Sequence, residues 1–296
     1  MTNILLGGAT LGAWLDTFFA GFDYAVLQFF GGLHSDFLTL LAKIVTSLGS
    51  TIYIVLFAMM GLVMCFFRRT RKLGFGIIFA ALIGLLVVNI FLKPFALRVR
   101  PYNTLQDDAA YWSWYVSAGM LSESDYCFPS GHTSSATEIA VVLFLCHITS
   151  KRKAARGWAI IFPIGAILVG ASRIYLMIHY PSDVLGGFIT GIFAGVLGYL
   201  LACLVVKLFK RDSSAEAQNA LKKPLRIGAV IMIFLAWIIM FSVSFAMLQK
   251  TGGEDAVRCA YDGDYNCQNE AKVDDEKYPA IDGKYYCKIH WRELND

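Results

Sequence analysis

Six long apolar runs dominate this chain of 296 residues and restrict where it can fold. They cover 51–67, 73–92, 132–150, 157–178, 184–209 and 227–248. Each approaches or exceeds the roughly 20 residues with which an α-helix crosses the hydrocarbon core of a bilayer. Because 57% of the residues are hydrophobic and only 16% are charged, the chain lacks the polar surface of a water-soluble globule. We therefore predict an all-α, polytopic transmembrane helical bundle.

The segment 1–50 is less regular than the six runs. Its apolar stretches carry Asp23 and Lys43. We interpret the segment as interfacial amphipathic helices, with a true span as the alternative. The start has no basic region followed by a small-residue cleavage site, so we expect Met1 to be retained.

Basic residues are concentrated in three connections, and an excess of Lys and Arg is typical of cytoplasmic loops. These residues are Arg68, Arg69, Arg71 and Lys72, then Lys151, Arg152, Lys153 and Arg156, then Lys207, Lys210, Arg211, Lys222, Lys223 and Arg226. With those connections cytoplasmic, alternation of the spans puts 93–131, 179–183 and the tail after 249 on the outer face. We expect a multi-pass protein of the cell membrane.

Three short motifs fall on that outer face. The first joins Lys93 to Arg100 and a following proline, and the second is a Pro-Ser-Gly-His stretch that ends at His132. The third begins with Ser172 and Arg173 and includes His179 and Asp183. The assignment of the loops from their charges is independent of the motifs, so their agreement supports both interpretations.

The motif side chains suit the binding of a phosphate. Lys93, Arg100 and Arg173 supply three cations, and arginine forks give bidentate contacts to anionic oxygens. Ser130 and Gly131 precede an apolar run, so their amides should lie at a helix N-terminus, which favours anions.

The histidines suit the chemistry of phosphate transfer. His132, in the first turn of its helix, is placed to protonate a departing oxygen. His179 could attack phosphorus and form a phosphohistidine, provided that its other ring nitrogen is held by an acceptor. Asp183, four residues further on, is the candidate acceptor and can also cap the next helix.

Each of these residues also has an ordinary structural explanation. A lone Lys93 or Arg173 at the end of a span is more often a snorkelling anchor, and a lone histidine is more often a satisfied polar residue. His34, His147 and His290 keep that ordinary interpretation because none has a matching set of neighbours. The joint occurrence of the others at one face favours a catalytic site.

The three motifs resemble the signature of the type 2 phosphatidic acid phosphatase (PAP2) superfamily: K-x6-RP, PSGH and SR-x5-H-x3-D, with every position filled. The similar region runs from about 36 to 209. The resemblance implies a helical bundle and metal-independent catalysis without a cofactor. It also implies that Lys93, Arg100, Ser130, Gly131 and Arg173 bind phosphate, while His179 is the nucleophile, His132 the acid and Asp183 the orienting partner.

The chain divides into five regions on this basis. They are an interfacial segment 1–50, a PAP2-like transmembrane catalytic core 51–209, a basic cytoplasmic linker 210–226, an additional transmembrane helix 227–248, and an extracytoplasmic tail 249–296. The last span and the tail lie beyond the usual end of the family.

Four cysteines fall on the outer side, where an oxidising environment favours disulfides. They are Cys127, Cys259, Cys267 and Cys287, and we predict up to two disulfides, with three pairings open. Our hypothesis is that the tail covers the outer loop through Cys127. A zinc site built from Cys267, Cys287 and His290 is the less favoured alternative because no CxxC pair is present, and we predict no metal site.

The function that we predict is hydrolysis of a lipid phosphate monoester or diphosphate at the outer leaflet, with undecaprenyl diphosphate as the leading substrate and phosphatidate or phosphatidylglycerol phosphate as the alternative. A soluble phosphate substrate, haloperoxidase chemistry in a similar pocket, a lipid transporter and a catalytically silent scaffold are the competing hypotheses. We expect a membrane lipid phosphate and the bilayer as partners and no nucleic acid.

Overall fold

The computed structural model describes residues 10–123, 125–150, 156–157, 159–212, 256–261, 267, 269–272, 279–287, 290–291 and 294. Ten α-helices and one π-helical segment make up the bundle within these residues. They are α1 (Leu11–Gly31), α2 (Asp36–Ser47), α3 (Thr51–Cys65), α4 (Arg71–Gly84), the π-helical segment Leu85–Leu92, α5 (Lys93–Ala96), α6 (Pro101–Thr104), α7 (Ala109–Ser117), α8 (Gly131–Ile148), α9 (Ile161–Tyr175) and α10 (Pro181–Asp212). The tail adds a two-stranded antiparallel sheet, β1 (Ala256–Arg258) with β2 (Glu270–Lys272).

The predicted helical bundle is confirmed. The first five apolar runs form α3, α4 with the π-helical segment, α8, α9 and α10. The run 227–248 and nearly all of the linker 210–226 lie outside the described residues, except that α10 continues to Asp212.

Within the described residues, two helical stretches are long and apolar enough to cross a membrane, namely Arg71–Thr104 and Pro181–Leu208. The pair α2 and α3, bent by 41°, would make a third if it acts as one span. Large apolar side chains cover the outside of the bundle, among them Ile167 on α9 and Ile189 on α10, which are 58% and 69% exposed. Exposure of this kind is favourable only against lipid.

Helix α1 buries the acidic side chain of Asp23 and exposes large apolar side chains. Asp23 is buried, whereas Trp14, Phe18 and Phe29 are exposed. Thr10 caps the helix by accepting a hydrogen bond from the amide of Ala13 at 3.1 Å. The acidic residue that made this segment look unlike a span therefore faces the protein, and the apolar side faces outward. The interfacial placement of 1–50 stays a prediction.

Helices α8 and α10 are in contact along their backbones. A Cβ atom added to Gly187, Gly191 or Gly195 of α10 would lie 2.8, 2.5 or 2.8 Å from a carbonyl oxygen of α8. Those oxygens belong to Ser130, Ser134 and Glu138, so both series repeat every four residues, close to one helical turn. Small residues at this spacing let membrane helices pack closely. The contact fixes the N-termini of α8 and α10 beside each other.

We expect Gly191→Ala to lower the stability of the protein by about 1–3 kcal/mol, because the new methyl group would overlap the carbonyl oxygen of Ser134. Thermal unfolding in detergent measures the change. Gly165→Ala in α9 is the matched control, since its Cβ would meet nothing within 4 Å. Equal unfolding temperatures for the two variants would contradict the close packing.

An aromatic layer supports the loop between α7 and α8. The ring of Tyr102 stacks on that of Tyr115 with centroids 5.1 Å apart, and the Tyr111 hydroxyl donates to the carbonyl oxygen of Met177 at 2.5 Å. All three tyrosines are buried. This layer connects the loop to the turn between α9 and α10.

Candidate active site

The structure brings the three motifs together at one end of the bundle. Lys93 begins α5, Arg100 immediately precedes α6, and Arg173 lies in the last turn of α9. All three cations are buried, with exposures of 7%, 1% and 2%. Burial of three cations in one region is costly unless anions accompany them. We call this group the cationic cage.

Two carboxylates occupy the cationic cage. Glu123 accepts from Arg173 Nη2 at 2.5 Å and lies 2.7 Å from Arg100 Nη2. Asp125 pairs with both Lys93 and Arg100. Burial would raise the pKa of Glu123, but the guanidinium groups of Arg173 and Arg100 outweigh it and hold that pKa well below its usual range. Both acids stay ionised near neutral pH.

The sequence did not indicate a role for Glu123 or Asp125. Neither belongs to a motif, and both lie in the long connection before the Pro-Ser-Gly-His stretch. The available signal in the sequence was the position of these two acidic residues, shortly before the Pro-Ser-Gly-His stretch that was expected to bind an anion. Their carboxylates are the anions that pair with Lys93, Arg100 and Arg173 in this structure.

The cage also contains a donor that the protein leaves unused. Arg173 Nε is buried and has no hydrogen-bond partner among the residues that the structure describes. An unsatisfied buried donor is unfavourable, so its presence beside an anion site needs an explanation. An oxyanion bound there would supply the missing acceptor.

His179 lies at the wall of the cage with its two nitrogens in different surroundings. Nδ1 is 3.5 Å from Asp183 Oδ2 and 3.3 Å from Cys127 Sγ. Nε2 is 3.2 Å from Arg100 Nη1. Because an arginine nitrogen can only donate, this contact requires Nε2 to be the unprotonated nitrogen. Its lone pair therefore points towards the cage.

The surroundings of His179 keep it neutral. Burial lowers its pKa, and the nearby positive charges of Arg100 and Arg173 lower it further, to well below the usual range. A neutral imidazole is the form that can act as a nucleophile.

Asp183 is fixed from several directions. Its Oδ1 accepts from Arg98 Nη1 at 2.6 Å, and its Oδ2 accepts from the amide of Tyr180 at 2.9 Å and from the Cys127 thiol at 2.7 Å. The backbone carbonyl of Asp183 accepts from the amide of Ser130 at 3.0 Å, which joins the second motif to the third.

Arg98 is a further residue of the site that the motifs did not include. Its side chain is buried and reaches Asp183, Asp23 at 2.9 Å and Asp16 at 2.8 Å. Asp23 also accepts from the backbone amide and the hydroxyl of Ser182. The network explains why the apolar helix α1 carries a carboxylate. Asp23 of α1 binds Arg98, and Arg98 in turn binds Asp183.

The Pro-Ser-Gly-His stretch lies opposite His179. Ser130 precedes α8 and caps it, with its hydroxyl 3.4 Å from the amide of Thr133. A Cβ on Gly131 would lie 3.7 Å from Lys93 Nζ, so the backbone of Gly131 lines the cage. His132 Nδ1 is 3.9 Å from Glu123 Oε1. Every residue singled out from the three motifs thus borders one region.

The predicted disulfides are not what the structure contains. All four outer cysteines are free. Cys127 lies against His179 and Asp183, while the three tail cysteines lie with His290. The tail does contact the loop, but through Asn269, whose Oδ1 accepts from the Tyr102 hydroxyl at 2.8 Å. A hydrogen bond replaces the covalent link that we expected through Cys127.

Three buried cations, a neutral histidine and an aspartate meet at one end of a helical bundle. This arrangement suits the binding of a phosphate, and comparison with known proteins gives the class as the membrane phosphatases. The PAP2 superfamily profile matches residues 69–211. Phosphatidylglycerophosphatase B of Bacillus subtilis is 33% identical over 153 residues, which are 50% of this chain and 67% of that protein. The chain belongs to the PAP2 superfamily.

One further relative and one solved structure extend the similarity. A lipid A 4'-phosphatase of Bacteroides thetaiotaomicron is 28% identical over 231 residues, which are 76% of this chain and 97% of that protein. The crystal structure of a transmembrane PAP2-type phosphatidylglycerolphosphate phosphatase from Bacillus subtilis superposes with a TM-score of 0.50 at 26% identity. The match covers 69% of this chain and 92% of that one. The chain is therefore a membrane-embedded lipid phosphatase of this superfamily.

Proposed function

We propose that the protein hydrolyses a lipid phosphate through a phosphohistidine, with His179 as the nucleophile. The observation that carries this proposal is the orientation of His179, whose unprotonated Nε2 points towards the cage while Nδ1 faces Asp183. In the first step Nε2 attacks phosphorus, the bond to the lipid oxygen breaks, and His132 protonates that oxygen. Asp183 stabilises the positive imidazole that results.

In the second step water attacks the phosphohistidine. The nitrogen–phosphorus bond breaks, inorganic phosphate leaves, and His132 takes the proton of the attacking water. Lys93, Arg100, Arg173 and the backbone around Gly131 balance the charge on the phosphoryl oxygens in both steps. We propose that neither step requires a metal ion.

For the substrate we propose a polyprenyl diphosphate such as undecaprenyl diphosphate. The two carboxylates support this choice, because they mark two neighbouring anion positions. Glu123 lies between Arg173 and Arg100, and Asp125 lies between Arg100 and Lys93. A diphosphate could fill both positions, with its terminal phosphorus nearest to His179.

The length of the match to a lipid A 4'-phosphatase supports a second candidate, a phosphorylated glycolipid. The protein would then release a single phosphate from a sugar. The two candidates differ in whether the second anion position is used.

Phosphate release by the purified protein in mixed micelles tests these proposals. The substrates are polyprenyl diphosphate, the polyprenyl monophosphate as its matched control, phosphatidylglycerol phosphate, phosphatidate and lipid A. We expect the diphosphate to give the highest kcat/KM, and Lys93→Met to reduce its turnover more than that of the monophosphate. A preference for lipid A or a glycerophospholipid would overturn the choice of substrate, and no release from any of them would overturn the function.

Metal independence needs its own measurement. The rate of phosphate release should be the same in buffer without Mg²⁺ and in buffer to which Mg²⁺ is added. A requirement for added Mg²⁺ would contradict the metal-free mechanism.

We propose that the active site faces the extracytoplasmic side. The site lies at the N-termini of α8 and α10, whereas Arg71 and Lys72 begin α4 and Lys207 lies near the far end of α10. These basic residues favour the cytoplasm for the opposite ends of the helices. Release of phosphate from a membrane-impermeant substrate by right-side-out vesicles would support this orientation, and release only after the vesicles are opened would contradict it.

Because a phosphate must displace the carboxylate of Glu123, we expect Glu123→Gln to bind orthovanadate or inorganic phosphate about 10-fold more tightly, as one competing charge is removed. Inhibition of phosphate release gives the affinity. Asp107→Asn is the control, since Asp107 is an exposed acidic residue of the same connection. Weaker binding of the anion by the Glu123→Gln variant would contradict this expectation and would show that the carboxylate of Glu123 helps to bind the anion.

A further inference from the structure

Four side chains with ligating atoms meet in the tail. Strand β1 leads into Cys259, Cys267 comes shortly before β2, and Cys287 and His290 lie three residues apart in one turn. The three sulfur atoms and a ring nitrogen of His290 all lie within 4.8 Å of one another. All four residues are buried, with exposures of 6% or less.

The distances distinguish a metal site from a disulfide. Cys267 Sγ and Cys287 Sγ are 3.8 Å apart, whereas a disulfide requires about 2.05 Å. Tetrahedral zinc with Zn–S bonds of about 2.3 Å separates two sulfur atoms by about 3.8 Å. His290 Nδ1 is 3.4 Å from Cys259 Sγ and 3.3 Å from Cys287 Sγ, near the roughly 3.6 Å of a sulfur and a nitrogen on one zinc ion.

The surroundings suit thiolates and a fixed imidazole. The amide of Cys287 donates to Cys259 Sγ at 3.1 Å, and Asn269 Nδ2 donates to Cys287 Sγ at 3.5 Å. The ring of Tyr261 stacks on that of His290 with centroids 3.8 Å apart and planes at 5°. Hydrogen bonds to the ligands and a fixed ring orientation are what metal sites require of their neighbours.

The described part of the tail has a small apolar core. The cluster of buried apolar residues in its described part consists of the three cysteines, with Tyr261 and Tyr286 packed against them. A segment this small needs a disulfide or a metal to hold a defined structure.

We propose that the tail carries a structural zinc site with Cys259, Cys267, Cys287 and His290 as its four ligands. Three thiolates and one imidazole are a closed tetrahedral set, which suits a borderline-soft divalent cation such as zinc and leaves no position for substrate. The proposal reverses our prediction of tail disulfides and of no metal site, and it adds Cys259 to the three residues of the zinc alternative that the sequence analysis had placed second. It does not depend on the proposed function.

The zinc site would also hold the active-site loop. Asn269 contacts Cys287 on one side and the Tyr102 hydroxyl on the other. The oxygen of that hydroxyl accepts from the amide of Glu123 at 3.0 Å and also lies 3.0 Å from the carbonyl oxygen of Glu123. Asn269 and Tyr102 therefore link Cys287, a proposed zinc ligand, to Glu123 in the cationic cage.

The metal content of the purified full-length protein, measured by plasma mass spectrometry after gel filtration, tests the proposal. We expect one zinc per chain in the wild type, a loss of at least about 10-fold in Cys267→Ser and His290→Ala, and full occupancy in Cys203→Ser. Cys203 is a cysteine of α10 far along the chain from the tail. Zinc that is absent from the wild type, or equal in all four proteins, would overturn the proposal.

A measurement on the wild type alone covers the case in which the variants fail to fold. Cys259, Cys267 and Cys287 should resist alkylation by N-ethylmaleimide until a chelator removes the metal, and peptide mapping without reduction should show all three as thiols. A Cys267–Cys287 disulfide in that map would also overturn the proposal.

Discussion

Replacing His179 with glutamine is expected to lower phosphate release by about 10³-fold or more, because loss of a nucleophile removes the covalent route entirely. Glutamine is neutral and of similar size, so the buried position stays filled. The residual rate would come from water attack on a phosphate still held by the cationic cage. Binding of the lipid should change little, so the loss should appear in kcat.

The control for this variant is His147→Gln. His147 lies at the other end of α8, with Nδ1 2.7 Å from the carbonyl oxygen of Leu143. We expect it to retain its activity. Rapid quenching with a radiolabelled lipid phosphate adds a direct test, since the wild type should yield an acid-labile phosphoenzyme and the His179 variant none. A phosphoenzyme that persists in the variant would assign the nucleophile elsewhere.

Replacing Arg98 with methionine has the second large expected effect, because it removes the partner of three carboxylates at once. Asp183 and Asp23 would be left buried and unpaired, which costs about 3–5 kcal/mol when one partner of a buried pair is removed. Asp183 would also lose its ion pair with Arg98, one of the three side-chain contacts that hold it beside His179. We expect a lower unfolding temperature together with a fall in kcat of about 10²-fold.

A second substitution separates the two effects. Adding Asp23→Asn to the Arg98 variant removes one unpaired charge, so it should recover part of the unfolding temperature. It does nothing to orient Asp183, so kcat should stay low. If kcat recovers in parallel with stability, Arg98 acts only through folding and not through the position of Asp183. Arg156→Met, at an exposed arginine, is the control for loss of one positive charge.

The sequence was sufficient for the bundle and for the motif residues. Apolar length predicted the helices of the core. The basic loops and the alternation of the spans predicted that Lys93, Arg100, Arg173 and the two histidines would lie on one face. Both predictions depend on short-range patterns of apolar and basic residues along the chain.

The partners of those residues could not be predicted in this way. Arg98 pairs with Asp23 and Asp183, which are 75 and 85 residues away, and both Arg98 and Asp23 look like isolated charges in the sequence. Glu123 is an ordinary loop acid until Arg100 and Arg173 approach it from different helices. Charges that are paired only in the tertiary structure leave no periodic signal.

The tail shows a different limit of sequence reasoning. Cys259 and Cys267 are eight residues apart, and Cys287 follows after another 20. Without a CxxC pair the spacing indicated disulfides. The β1–β2 pairing brings the first two cysteines to one end of a hairpin, and that pairing is not visible in so short a pattern.

The backbone contact between α8 and α10 restricts how a lipid can reach the two histidines. Where Gly187, Gly191 and Gly195 meet the carbonyl oxygens of α8, there is not even room for a methyl group, so no hydrocarbon chain can pass between these helices. With the proposed nucleophile at His179, we expect the lipid tail of the substrate to reach the site along a different groove. The contact between α8 and α10 therefore closes one side of the site. We expect selectivity for lipid length to depend on the helices at the other sides.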